Sequence, residues 1–284
     1  MAQSGMLALP AVEGGARVAG PTSRETSRDD SGMGSTTVII GPGLVVAGVL
    51  AVGLAAVLAA VAHLGTGRST VVAGARAVLQ LGAVSVLIGA IVGSVLLSAA
   101  FVLVMVVVAG WTSARRITPH RSGWWAVLPI AVAPLPATAA LVLAGVVPPV
   151  GVAVIPMAGI LIGGTMTATS LAGRRVLDEL ATRRGEVEAA LSLGFLPRHA
   201  ALEIARPSAG QALVPALDQT RTVGLVTLPG AFVGMLLGGA SPVQAGAVQV
   251  LVLVLLLAVE TVAVAVMLEL VRRGLVRRPV SAAA

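Results

Sequence analysis

Asp218 and Arg221 interrupt an otherwise apolar stretch, GQALVPALDQTRTVGLVTLPGAFVGMLLGG, and Glu260 stands alone in a second one, QVLVLVLLLAVETVAVAVML. A charge at the centre of a membrane helix costs about 2.5–3.5 kcal/mol on insertion scales, so it is kept where it pairs or faces a polar cavity. At i and i+3 on one helix, Asp218 and Arg221 can do both. Two readings stay open: an internal ion pair that fixes helix packing, or polar groups lining a path for a cation or a proton. Glu260 has no partner on its own helix and either faces Arg221 or stands neutral against lipid. Met157, Met166 and Met235 are soft donors of the kind a metal accepts, although methionine in a span more often packs. The three histidines, His63, His120 and His199, show no i, i+4 pairing, which leaves a histidine metal site without support.

What is missing excludes more chemistry. All 19 basic residues are arginine, and there is no cysteine. Without lysine there is no GxxxxGK[ST] phosphate loop and no Schiff base. Without cysteine there are no disulfides, iron–sulfur clusters, thiolate zinc sites or thiol nucleophiles. No HExxH string and no intramembrane Ser/His or His/Asp pair supports an enzyme.

The elements that must hold Asp218 and Glu260 are membrane spans. Hydrophobic residues make up 57% of the 284 and charged ones only 11%, with a mean hydropathy of +0.99, against the roughly one-quarter charged residues of a soluble domain. Residues 1–36 are polar and mixed in sign, and read as a disordered tail. Thr37–Ala62 carries no charge and is long enough for one crossing of a core about 30 Å thick. The uncharged interval from Arg76 to Arg115 fits two crossings with a turn at Gly89, Gly93 and Ser94, and that from Arg121 to Arg174 fits two more around Pro148 and Pro149. The stretch from Gln211 to Leu270, divided at Gly238-Gly239-Ala240-Ser241-Pro242, completes about seven spans of an all-α polytopic membrane protein, with a permease domain over 37–272.

The arginines test that count. Arg68 and Arg76 follow span one, and Arg115, Arg116 and Arg121 follow span three. Six more follow span five, and Arg272, Arg273, Arg277 and Arg278 follow span seven; the alternate connections hold none. Cytoplasmic loops collect arginine, so the expected topology has the N-terminal tail outside and a cytoplasmic C-terminal tail over 273–284 in a plasma (inner) membrane. Trp111, Trp124 and Trp125 fall at an expected interface. The net charge of +7 therefore reads as topology and not as nucleic-acid binding.

One cytoplasmic loop, 173–207, is sizeable. Leu177, Leu180, Val187 and Leu191 recur near helical spacing, Gly194 and Pro197 break the pattern, and Pro207 is expected to end a second short helix. Further on, Gly230, Gly234 and Gly238 form overlapping GxxxG units suited to close helix approach, between copies or within one subunit.

Glu188-Ala189-Ala190, Gly194, Ile204 and Pro207 keep the spacing of the EAA loop of ABC-transporter permeases, with Arg206 where leucine is usual. The wider chain resembles the FetB-type iron-export permeases of bacteria and their plant relatives linked to aluminium tolerance. The blocks are Arg76 with Gln80-Leu81; Val154-Ile155-Pro156-Met157-Ala158-Gly159; Leu191-Ser192-Leu193-Gly194; Leu213-Val214-Pro215 to Asp218; and Arg221-Thr222-Val223-Gly224-Leu225-Val226-Thr227-Leu228-Pro229-Gly230. Gly239-Ala240-Ser241-Pro242 and Gln249 close the likeness, which covers about 68–270. Gly164, where bacterial relatives are expected to carry asparagine, and Glu260, at an expected uncharged position, depart from it.

The resemblance implies the membrane half of an ABC transporter that works as a homodimer in lipid. It has no cofactor of its own, and its ATP and Mg sit on a separate ATPase subunit that docks at Glu188, Ala189, Ala190 and Gly194. Asp218, Arg221, Glu260 and Gln80 become candidates for the pathway of a metal ion such as iron. An importer permease is an alternative, as is a proton-coupled carrier using Asp218 and Glu260.

Overall fold

A computed structural model describes residues 41–278; the expected tail at 1–36, the start of span one at Thr37 and the C-terminal residues 279–284 lie outside them. The elements are all helices: α1 (Pro42–Val61), α2 (Gly67–Ile91), α3 (Val95–Ile117), α4 (Val127–Val132), α5 (Pro134–Leu143), α6 (Gly151–Thr182), α7 (Arg184–Ser192), α8 (Pro197–Gly210), α9 (Val214–Thr222), α10 (Gly230–Leu237) and α11 (Pro242–Arg272). A 3-10 turn over Arg121–Ala126 leads into α4. Six segments are long and apolar enough to cross a membrane, namely α1, α2, α3, the run Arg121–Leu143, α6 and α11. The chain is an all-α polytopic membrane protein.

Helices α3, α6 and α11 form the core and run in the same direction. Gly151 at the start of α6 abuts Ser98 near the start of α3, and Gly159 abuts Met105. Further along, the Ser170 hydroxyl donates to Ser113 at 2.9 Å, and Gly173 is wedged between Ile117 of α3 and Met267 of α11. A Cβ there would lie 2.7 Å from Met267 Cε and 2.8 Å from Ile117 Cδ1, so any side chain would push both aside. Parallel neighbours require the intervening chain to cross back each time. Arg121–Leu143 does so between α3 and α6, bent where Pro134 begins α5.

Between α6 and α11 the return is made by α9 and α10. The expected sixth span is thus present as a crossing but is not one helix. Val223 leaves α9 in an extended conformation, Gly224 takes φ +83°, and the helix resumes only at Gly230 after Pro229. Proline has no N–H and disfavours helix in the residue before it, which accounts for the break at Leu228-Pro229.

Two further expectations change. The charged segment is not a loop from residue 173, because α6 continues to Thr182 and carries the span out past Arg174 and Arg175. Nor does Pro207 end a helix: α8 runs through it to Gly210, since Ile204, Ala205, Ser208 and Ala209 are buried on the face packed against α6 and α11. Burial of that face outweighs the one hydrogen bond lost at proline. Residues 273–278 are likewise docked rather than free. Val276 is buried in the core cluster, Arg277 N–H donates to Ser122 Oγ at 3.2 Å, and Thr118 Oγ1 donates to the Arg277 carbonyl at 3.2 Å.

The arginines of the α3, α6 and α11 C-termini share one face of the bundle, while the opposite ends, at 92–94, 144–150 and 238–241, carry no charge. Trp111 and Trp124 meet edge to face at 5.7 Å beside that arginine face, and Arg115 lies 4.9 Å from the Trp111 ring centre. This is the amphipathic girdle a membrane interface favours.

Candidate functional site

Glu260 sits midway along α11 and is 6% exposed. Opposite it on α6 is Gly164, and the fit is close: a Cβ there would stand 2.5 Å from Glu260 Oε1 and 2.4 Å from Leu256 Cδ1. The absent side chain is therefore what makes room for the carboxylate. The two positions that depart from the family resemblance are direct neighbours, and one accommodates the other.

The carboxylate borders a cavity of about 290 Å³ between α6, α9 and α11, lined also by Gly163, Thr167, Pro215, Ala216 and Gln219. Among the described residues no cation pairs with Glu260. A carboxylate, an amide and a hydroxyl are the oxygen donors that hard cations accept. Elsewhere on the core helices, Thr165 and Thr169 of α6 and Gln249 of α11 are buried with side-chain oxygens that have no partner among the described residues.

Asp218 and Arg221 do pair, at 3.6 Å, but on the outside of the protomer, with side chains 61% and 72% exposed. The expectation that Glu260 faces Arg221 fails: Glu260 looks between α6 and α9, and it is Gln219, one residue after Asp218, that lines its cavity. Gln80 belongs to α2 and is exposed, away from this cavity. The four polar candidates thus occupy three places. Gln219 and Thr167 were not singled out from sequence; an amide beside Asp218 in an apolar run was the signal available.

The small-residue stripe does not pack within the subunit. Gly230 and Gly234 have open space where a side chain would be, and Gly238 meets only carbonyls of its own helix as the cap of α10. Met166 packs against the Val102–Ile130–Ile162 cluster together with Met105, while Met157 lies elsewhere on α6 and Met235 on α10. Among the described residues no group of three His, Asp or Glu could hold a metal ion.

On the arginine face, α7 buries no residue. Glu188 accepts from Arg184 Nε at 2.9 Å, and both side chains are largely exposed. Arg183 joins α6 to α7 by bonding Glu179 at 3.2 Å and chelating Glu186. The Arg183 guanidinium holds the Glu186 carboxyl below its ordinary range, and the same bonds push the guanidinium's own pKa up. Gly194, with φ +89°, turns the chain so that Leu193, Phe195 and Leu196 project into solvent before Pro197 starts α8.

No solved structure matches the chain. Rice (Oryza sativa subsp. japonica) UPF0014 membrane protein STAR2 is 35% identical over 76% of this chain and 77% of its own. Protein ALUMINUM SENSITIVE 3 of Arabidopsis thaliana is 38% identical over 56% of this chain and 59% of its own. The probable iron export permease protein FetB of Escherichia coli (strain K12) is 35% identical over 40% and 44% respectively. The family model for UPF0014, described as an uncharacterised protein family, spans residues 43–276, and with that coverage the chain belongs to the UPF0014 family of membrane proteins.

Proposed function

We propose that this chain is the membrane-spanning permease subunit of an ABC transporter that exports a metal cation, powered by a separate ATPase subunit that binds ATP and Mg. The observation that carries the reading is the α7–turn–α8 unit. It presents apolar Leu193, Phe195 and Leu196 beside Glu188, Ala189 and Ala190 on the water side of the arginine face, while α8 is buried against α6 and α11. An exposed apolar tip on a polar helix is a docking surface for a soluble partner. Because α8 bears on the two core helices, a push at the tip reaches the Glu260 cavity through packed side chains.

On this reading the arginine face is cytoplasmic, as the distribution of positive charge favours. ATP-driven closure of two ATPase subunits displaces α7 and α8 and tilts α6 against α11. The cavity of Glu260, Gln219 and Thr167 then opens alternately to the two sides, offering oxygen donors to a hard cation. The name of the bacterial relative, a probable iron export permease protein, supports outward movement of iron.

The test is reconstitution with a candidate ABC ATPase subunit from the same organism. Glu188→Arg replaces the Arg184–Glu188 pair with a repelling one, and the complex should no longer copurify or show cation-stimulated ATP hydrolysis, while the subunit elutes as before. If the variant still copurifies and couples, the docking assignment is wrong. Transport of a cation into vesicles by this chain alone, driven by a proton gradient, would instead favour the proton-coupled carrier.

A further inference from the structure

The α1–α2 hairpin packs on itself and scarcely on the remainder of the bundle; its only buried side chains are Ala59 and Ile91. For apolar side chains that is no difficulty in lipid. Arg76 and Gln80 are different: one turn apart on α2, both are exposed, and neither has an ionic or hydrogen-bonded side-chain partner among the described residues.

A second surface has the complementary problem. On α9, Asp218 and Arg221 are exposed, and only one carboxylate oxygen of Asp218 is engaged, at 3.6 Å. The chain after α9 leaves helical geometry on that same surface, with Leu225 92% and Val226 78% exposed around Gly224. Irregular backbone at membrane depth is tolerated where it is covered by protein or lines a watery cavity, and not where it meets lipid.

Measured along their own helices, the two surfaces lie at similar distances from one shared contact. Gly151, which begins α6, abuts the Val92 carbonyl that ends α2, so both helices can be measured from that contact. At 1.5 Å per residue, Arg76 and Gln80 lie about 24 and 18 Å from it along α2, and Gly164 and Thr167 lie about 20 and 24 Å from it along α6. Gln219 lines the cavity with Gly164 and Thr167, which sets α9 at the same level. A base with an amide on one surface therefore matches an acid with an amide on the other, in a layer where neither can remain bare.

We infer that a second copy of this chain covers α9, with Arg76 and Gln80 of each protomer's α2 meeting Asp218 and Gln219 of the other's α9. The contact is isologous, so it forms twice about one two-fold axis. Arg76 takes the free oxygen of Asp218, and the Arg221 pair becomes part of a three-member network across the interface. The hairpin packs little in its own protomer because its polar stripe belongs against the other one. The inference does not depend on the ATPase or on what is transported.

The chain has no cysteine, so every engineered thiol pair reports without background. Full-length protein carrying Arg76→Cys with one tag is co-expressed with Asp218→Cys carrying another, and native membranes are oxidised. The expected result is a mixed-tag dimer band under non-reducing conditions that each single variant alone does not give. Gln80→Cys with Gln219→Cys repeats the test with both charges in place, in case the first pair disturbs insertion. Charge reversal supplies the second arm: Arg76→Asp and Asp218→Arg should each lower the dimer fraction at least several-fold in detergent, and the double variant should restore it. Either of two outcomes overturns the inference: absence of mixed-tag bands from both pairs, or single reversals that leave the dimer fraction unchanged.

Discussion

Replacing Gly164 by alanine places a methyl group 2.5 Å from Glu260 Oε1 and 2.4 Å from Leu256 Cδ1. Both atoms are the ends of flexible side chains, so each must retreat by about 1 Å to reach ordinary contact, and overpacking of this kind costs about 1–3 kcal/mol. Against that, alanine in a helix interior is favoured over glycine by about 0.5–1 kcal/mol. The single variant is therefore expected to lose up to about 2 kcal/mol, read as a lowered melting temperature. In a Glu260→Ala background the carboxylate is gone and only Leu256 has to move, so the same substitution should be neutral or stabilising. The two-by-two set of thermal melts in detergent should give a coupling energy of about 1 kcal/mol or more, well above the 0.3–0.5 kcal/mol scatter of independent sites. Additivity within that scatter would refute the claim that the empty side-chain position at 164 exists to house Glu260. If the proposed ATPase complex assembles, Gly164→Ala should also lower its cation-stimulated ATP hydrolysis, because it displaces the carboxylate from the cavity.

Three more outcomes follow from particular residues. Gly194→Ala puts a Cβ at φ +89°, costing about 1–2 kcal/mol; limited proteolysis should become faster at the α7–α8 turn while the membrane core stays protected. Ser170→Ala breaks the 2.9 Å hydroxyl bond to buried Ser113 and strands that partner, a loss of about 1–3 kcal/mol; Ser113→Ala combined with Ser170→Ala should recover most of it in the same melts. Because Arg183 holds the Glu186 carboxyl below its ordinary range, the pair supports the α6–α7 junction at pH values above the unfolded carboxyl's pKa. That support is lost as pH falls through the lowered folded value. The protection factors of α7 amides in the full-length protein, rates corrected for intrinsic exchange at each pH, should fall on acidification into that range, and Arg183→Gln should flatten the dependence; an unchanged profile in the variant would assign the acid sensitivity elsewhere.

The crossings, and the face on which arginine collects, were legible in the sequence. The requirement that buried backbone satisfy itself within a hydrocarbon layer forces long apolar helices, and the exclusion of arginine from alternate loops marks their ends. The turn between α7 and α8 was legible too, because Gly194 and Pro197 are local instructions to turn and restart. Pro207 misled, since a proline's local cost is smaller than the burial of Ile204, Ala205, Ser208 and Ala209 around it. The break after Thr222 was written in Gly224 and Pro229, but hydropathy averaged over a window does not register where a helix ends inside an apolar run.

What stayed hidden was adjacency. Sequence spacing relates residues on one helix, as it did for Asp218 and Arg221. It says nothing of which residue on another helix stands opposite. That Gly164 houses Glu260, that Gln219 rather than Asp218 reaches the cavity, and that Asp218 faces outward are decided by the parallel packing of α6 and α11 and by the break in the crossing between them. The sequence by itself determined which long segments are apolar enough to cross a membrane and where charge collects, because both follow from the solvent. Only the tertiary structure decided which polar groups share a cavity and which are left at the surface, because that follows from the rotation of each helix about its own axis, which packing sets.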